Sequence, residues 1–157
     1  MNIHTLHRKW LINIKGGFTL IELLVVISII GIILALSIFG LQGARESSRD
    51  AKRKSDLESI RSGLEIFKAD CDKYYIGVSI PSPLIGIPAY GSSCLAANTY
   101  ISSVPSDPIP GTRSYAYSSD GTTYTLCAAL EQPPSPAMDV TGCGSCTATC
   151  NYKVKNP

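Results

Sequence analysis

The chain has 157 residues, 45% of them hydrophobic and only 17% charged, with a net charge of +2. That balance supports one small domain with a modest core and gives no polyanion-binding footprint. Both histidines, His4 and His7, precede the long apolar run; beyond it neither Ser-His nor Cys-His activation of a nucleophile is available, and no phosphate-cradling glycine motif occurs.

The first informative stretch is Lys15-Gly16-Gly17-Phe18-Thr19-Leu20-Ile21-Glu22, in which a basic residue, two glycines and one carboxylate head an apolar segment. From Phe18 to Leu41 there is no Lys, Arg, Asp, Pro or His. About 24 residues at ~1.5 Å rise give roughly 36 Å of helix, enough for the ~30 Å hydrocarbon core of a bilayer. A carboxylate inside such a span costs ~2.5–3.5 kcal/mol at mid-bilayer and is a functional-site hypothesis that needs a partner. On residue chemistry alone, Glu22 also suits headgroup depth, where a helix N-terminus favours negative charge.

The run from Lys15 to Ile27 resembles the cleavage and methylation signal of type IV prepilins and type II secretion pseudopilins. The resemblance implies cleavage by a membrane-embedded prepilin peptidase between Gly17 and Phe18, N-methylation of Phe18, and assembly through Phe18, Thr19 and Glu22. In that family the glutamate pairs with the free amine of a neighbouring subunit, so the implied partners are other copies of the chain, related pilin subunits, an inner-membrane assembly platform and membrane lipid. No cofactor is implied. Rival leaders fit less well: a secretory signal is cut after a shorter apolar region, no cysteine near the leader accepts a lipid, and double-glycine leaders precede short peptides and not a span. Where many pilins carry a proline, this chain has Phe39 followed by Gly40 and Gly43, and each glycine costs a helix ~1 kcal/mol.

Charges flanking the span do not set its orientation. Arg8, Lys9 and Lys15 stand before it, and Arg45, Arg49, Lys52, Arg53 and Lys54 after it, which on the positive-inside rule leans toward a cytoplasmic C-terminal side. The six cysteines, all beyond residue 70, argue the opposite, because disulfides belong in an oxidising exterior. We expect a single-pass plasma-membrane protein with the leader inside and the remainder outside. Residues 45–54 read as a solvated helix face, in preference to a surface for anionic lipid or nucleic acid.

Helical spacing continues past the span. Leu57, Ile60, Leu64, Phe67 and Cys71 recur at intervals of three and four, and Asp50/Lys54, Lys54/Glu58 and Arg61/Glu65 are opposite charges at i,i+4. One helix from about Phe18 to Asp70 would be roughly 80 Å long. Its apolar stripe needs a cover, and a strand layer supplies one. The expected organisation is a leader over 1–17, a transmembrane and polymerisation helix over 18–43, an amphipathic helix over 44–75 and a head over 76–157. The fold class is α+β, a long N-terminal helix on a small antiparallel sheet, and the family resemblance implies the same lollipop layout.

After Tyr75, proline, glycine and serine mark a long loop. Ser114–Ser119 and Thr122–Leu130 flank Asp120-Gly121, a two-residue hairpin cue. Tyr100 to Pro108, ending in Pro105-Ser106-Asp107-Pro108, also resembles the approach to the sheet in major pseudopilins. Many of those bind calcium through a carboxylate-rich loop after the hairpin; the proline-rich 131–137 segment offers too few oxygen ligands, and no metal residue is assigned. Cys143, Cys146 and Cys150 lack the ligand spacing of a zinc site. The six cysteines allow fifteen pairings; we expect Cys71 with Cys94, closing the helix-to-sheet loop, and Cys127 with the tail. Asp70 and Asp72 read as solvent-facing or capping residues at the helix end.

Two functions follow from the resemblance: a structural subunit polymerised into a pilus or secretion pseudopilus, or a membrane-anchored minor pilin with an adhesive or DNA-capturing head.

Overall fold

The computed structural model describes residues 16–156; His4, His7, Arg8, Lys9 and Lys15 lie outside the described residues, so only Gly16 and Gly17 of the leader are seen. Helix α1 covers Leu20–Cys71, 52 residues, and the chain divides into two compact units, one ending at Leu41 and one beginning at Gln42. In the first unit the apolar side chains from Leu20 to Ile38 face outward, and the helix is long and apolar enough to cross a membrane. Ser28 and Ser37 donate their hydroxyls to the carbonyls of Leu24 and Ile33, at 2.7 and 2.8 Å, which lets a polar side chain ride in an apolar span.

In the second unit, the stripe Leu57, Ile60, Leu64, Phe67 and Cys71 is at most 1% exposed. It packs against Tyr117, Tyr124, Leu126 and Val154, which lie on β3 (Ala116–Ser119), β4 (Tyr124–Ala128) and β5 (Tyr152–Lys155). These strands form an antiparallel sheet in the order β3-β4-β5. Because side chains alternate across a strand, Ala116 and Cys127 face away from the helix. There they cluster with Ala129, Cys143, Cys146 and Cys150 of the tail. The head is therefore three layers: helix, sheet and a disulfide-rich cover.

Several elements differ from the sequence expectation. The helix, expected over 44–75, ends at Cys71, where Asp72 takes a left-handed conformation, φ 62°, and the Tyr74 amide turns to the Gly121 carbonyl at 2.9 Å. A left-handed residue after the last turn is a common helix stop. The long loop contains a small sheet, with β1 (Leu84–Ile85) antiparallel to β2 (Thr99–Ile101). Gly63 admits β2 against the helix: a Cβ there would lie 2.4 Å from Cγ1 of Ile101. The hairpin turn is Asp120-Gly121-Thr122-Thr123 and not Asp-Gly alone, since Ser119 pairs with Tyr124. Asp120 accepts the amides of Thr122 and Thr123 at 2.8 and 2.7 Å, which closes the wider turn and holds its carboxyl below the usual range.

The segment 45–54 is a solvated face only in part: Arg45, Lys52 and Lys54 are exposed, but Asp50 and Arg53 are buried. Arg53 is fully buried and joins three parts of the head. Its Nε and Nη2 donate to Asp107 at 2.7 and 3.0 Å, and its Nη1 donates to Asp50 and Glu131, both at 2.7 Å. Arg49 also donates to both oxygens of Glu131. Asp50 in turn accepts the amides of Glu131 and Gln132 at 2.9 and 2.8 Å. Along the helix, among the described residues, the ion pairs are Arg53 with Asp50, Lys52 with Asp56 and Arg61 with Glu58, in place of the expected Asp50/Lys54, Lys54/Glu58 and Arg61/Glu65. Glu65 instead accepts the hydroxyls of Tyr74 and Tyr124, and Lys54 lies over the Tyr152 ring.

Candidate processing and assembly site

Gly16 to Thr19 precede the helix without regular structure, and all four are exposed. Among the described residues, a Cβ on Gly17 would meet nothing within 4 Å, and Phe18 is 83% exposed. The peptide between them is thus outside regular structure and open to solvent, as access by a protease requires. Thr19 is the helix N-cap. Its hydroxyl accepts the Glu22 amide at 3.2 Å and its carbonyl accepts the Leu23 amide at 3.2 Å, satisfying orphan groups of the first turn. The sequence Thr19-x-x-Glu22 has capping-box spacing, so the same local signal that starts the helix fixes Glu22 in its first turn.

There the helix dipole favours the carboxylate by ~0.3–1 kcal/mol. Among the described residues no donor reaches the Glu22 carboxylate. Its neighbours Leu20, Ile21, Leu23 and Leu24 are between 53 and 82% exposed, so the charge stands on an apolar surface that water or a second molecule must cover.

The cysteines form three disulfides: Cys71–Cys94, Cys127–Cys143 and Cys146–Cys150. The first ties the end of α1 to the loop carrying the β1-β2 sheet, and the second ties β4 to the outer cover. Asp70 accepts the Tyr100 hydroxyl at 2.9 Å, while Asp72 is exposed.

The Arg53 cluster was missed from sequence. A signal for it exists, because Arg53 and Asp50 continue the stripe of Leu57, Ile60 and Leu64 backward at helical spacing. A charge on a buried stripe needs counter-charges, and Asp107 and Glu131 provide them from distant loops.

Fold and site together define an α+β protein of pilin-like layout with a single apolar N-terminal helix that fits a membrane anchor. Residues 12–38 match the prokaryotic N-terminal methylation motif. A type II secretion system core protein G of Aeromonas hydrophila is 31% identical over 102 residues, covering 60% of this chain and 67% of that protein. One from Escherichia coli K12 is 34% identical over 98 residues, covering 60% and 66%, and one from Pectobacterium carotovorum is 38% identical over 60 residues, covering 38% of each. The matched stretch thus spans from 38% to about two thirds of these relatives' lengths. No solved structure matches the chain. The chain belongs to the type IV pilin and type II secretion pseudopilin family.

Proposed function

We propose that this chain is a prepilin-like structural subunit without catalytic activity of its own. A prepilin peptidase cleaves it between Gly17 and Phe18 and methylates the new amine, and the mature chain assembles with its own copies and related pilin subunits on an inner-membrane platform. The relatives named as type II secretion core proteins support a secretion pseudopilus over a long surface pilus. One observation carries the reading: Glu22, held in the first turn of an exposed apolar helix, has no donor on its carboxylate among the described residues. The amine released at Phe18 supplies what it lacks. An incoming subunit that neutralises the pair in hydrocarbon is favoured, and one that leaves either charge alone is penalised. Processing thereby licenses assembly. The leader is cytoplasmic and the head lies outside the inner membrane, where its three disulfides form and persist.

The test is expression with a complete type II secretion assembly system. Sheared fractions should contain filaments built of this chain, and its N-terminal peptide should begin at a methylated Phe18. A chain that keeps Met1 and stays wholly in the membrane fraction overturns the proposal.

A further inference from the structure

From Gln42 to Asp56 the sequence of α1 contains no valine, isoleucine, leucine, methionine or aromatic residue. Its two alanines, Ala44 and Ala51, are exposed, and the first buried apolar side chain of the helix is Leu57. A stretch of this length is marginal as an isolated helix in water even when alanine-rich. Here three serines, two aspartates and Gly43 weaken it further. Among the described residues a Cβ on Gly43 would meet nothing within 4 Å, so no close approach calls for glycine there, in contrast to Gly63.

What holds this stretch to the head is polar, and two residues supply most of it. Gln132 donates its side-chain amide to the Gly43 carbonyl at 3.3 Å. Asp50 accepts the backbone amides of Glu131 and Gln132, and the Glu131 carboxylate accepts from Arg49 and Arg53. Glu131 and Gln132 thus grip α1 from Gly43 to Arg53, roughly three turns. Pro133 and Pro134 follow directly; proline fixes its own φ and keeps the preceding residue extended, so the clasp is stiff. Beyond the clasp, Arg53 reaches Asp107, Asp56 accepts the Tyr115 hydroxyl and Lys54 lies over the Tyr152 ring.

Such contacts open at a different cost from apolar ones. Moving the helix off the clasp exposes both members of each ion pair to water together. No charge is left buried without its partner, which is what makes a one-sided substitution expensive. No apolar stripe is lost either. From Leu57 onward the balance reverses, because Leu57, Ile60, Leu64 and Phe67 are at most 1% exposed and parting them from the sheet exposes hydrophobic surface. Segments with few buried apolar contacts open first.

We infer that residues 43–56 of α1 form a releasable arm, held as helix against the head by the clasp of Glu131 and Gln132, and that this arm opens as a unit while Leu57 to Cys71 stays packed. With the clasp open, the head keeps its core and gains a flexible tether at its N-terminal end. The device lies wholly within the second unit and does not rest on the subunit reading.

The experiment is native-state hydrogen exchange on the full chain in detergent micelles. In the unaltered chain, amides of residues 47–53 should exchange at least tenfold faster than those of residues 60–71. Sub-denaturing guanidinium should accelerate the second group more steeply than the first, because opening the arm exposes little surface. In the double variant Glu131→Gln, Gln132→Ala the arm amides should exchange within tenfold of unfolded-chain rates, while residues 60–71 stay protected at least a hundredfold. The inference is overturned if both groups in the unaltered chain exchange at one rate with one denaturant dependence, since arm and core are then a single cooperative unit. It is equally overturned if the arm of the double variant stays protected, or if residues 60–71 lose protection with it.

Discussion

Arg53 and Asp107 meet in a two-pronged pair, Nε to Oδ2 at 2.7 Å and Nη2 to Oδ1 at 3.0 Å, with side chains 0% and 1% exposed. Helix and pre-sheet loop are 54 residues apart at this contact, so the pair fixes a long-range feature of the head. Removing Asp107 leaves the buried Nε and Nη2 of Arg53 without an acceptor, while Asp50 and Glu131 still face its Nη1, a loss of about 3 kcal/mol. Asp107→Ala should therefore lower the stability of the head by that amount in chemical denaturation. Arg61→Ala, which removes an exposed pair at 3.5 Å, should change it by no more than about 0.5 kcal/mol.

Acid should loosen the same cluster. Hydrogen bonds from Arg49 and Arg53 outweigh burial at Glu131 and hold its carboxyl at about 2. At Asp107 burial acts upward, but Arg53 and the Ile109 amide more than offset it and leave the carboxyl lowered. Groups lowered in the folded state contribute fully above their unfolded values, near 4, and lose that contribution as pH falls toward the folded ones. The midpoint for unfolding should be flat above about pH 5 with respect to these groups and fall between about 4.5 and 2. Glu131→Gln should be less stable at neutral pH and should reduce the slope in that window.

The disulfides should rank by the chain they close. Cys71–Cys94 spans 23 positions and Cys146–Cys150 only 4. In the chain-entropy model these constraints amount to about 3 and about 2 kcal/mol. Serine pairs at each bridge should destabilise in that order. Alkylation of the oxidised protein should label no cysteine, and three or more free thiols would contradict this pairing.

Periodicity made the core side of α1 legible, because burial of Leu57, Ile60, Leu64 and Phe67 is a local consequence of spacing. It did not reveal the buried charge at Arg53, whose partners at positions 107 and 131 leave no mark near it in sequence. Strands β1 and β2 were hidden among prolines and glycines, since two- and three-residue strands carry too short an alternation to read. Strand β5 was obscured because Tyr152-Lys153-Val154-Lys155 follows a cysteine-rich tail and has a single buried position, Val154. At the N-terminus the capping signal Thr19-x-x-Glu22 is local and visible, but a partner for Glu22 lies outside the chain and no reading of one chain exposes it.

Maturation depends on the small residue before the cut. Among the described residues nothing lies within 4 Å of a Cβ on Gly17, so a substitution there should act on the protease and not on the fold. Gly17→Phe should leave insertion and head stability unchanged while the precursor accumulates. Mass measurement of the membrane-extracted protein checks this: the variant should retain residues 1–17, and loss of the leader at the normal rate would count against the cleavage position.

The pairing of Glu22 with a neighbour's amine is tested most directly by the filament yield of Glu22→Ala. The substitution removes a carboxylate cost of at most ~2.5–3.5 kcal/mol from the span and leaves Thr19 as the cap, so insertion and cleavage should proceed. Sheared filaments, quantified by immunoblot against processed subunit in the same cells, should fall at least tenfold. A yield equal to that of the unaltered chain would contradict the account and leave Glu22 as a headgroup-level residue stabilised by the helix terminus alone.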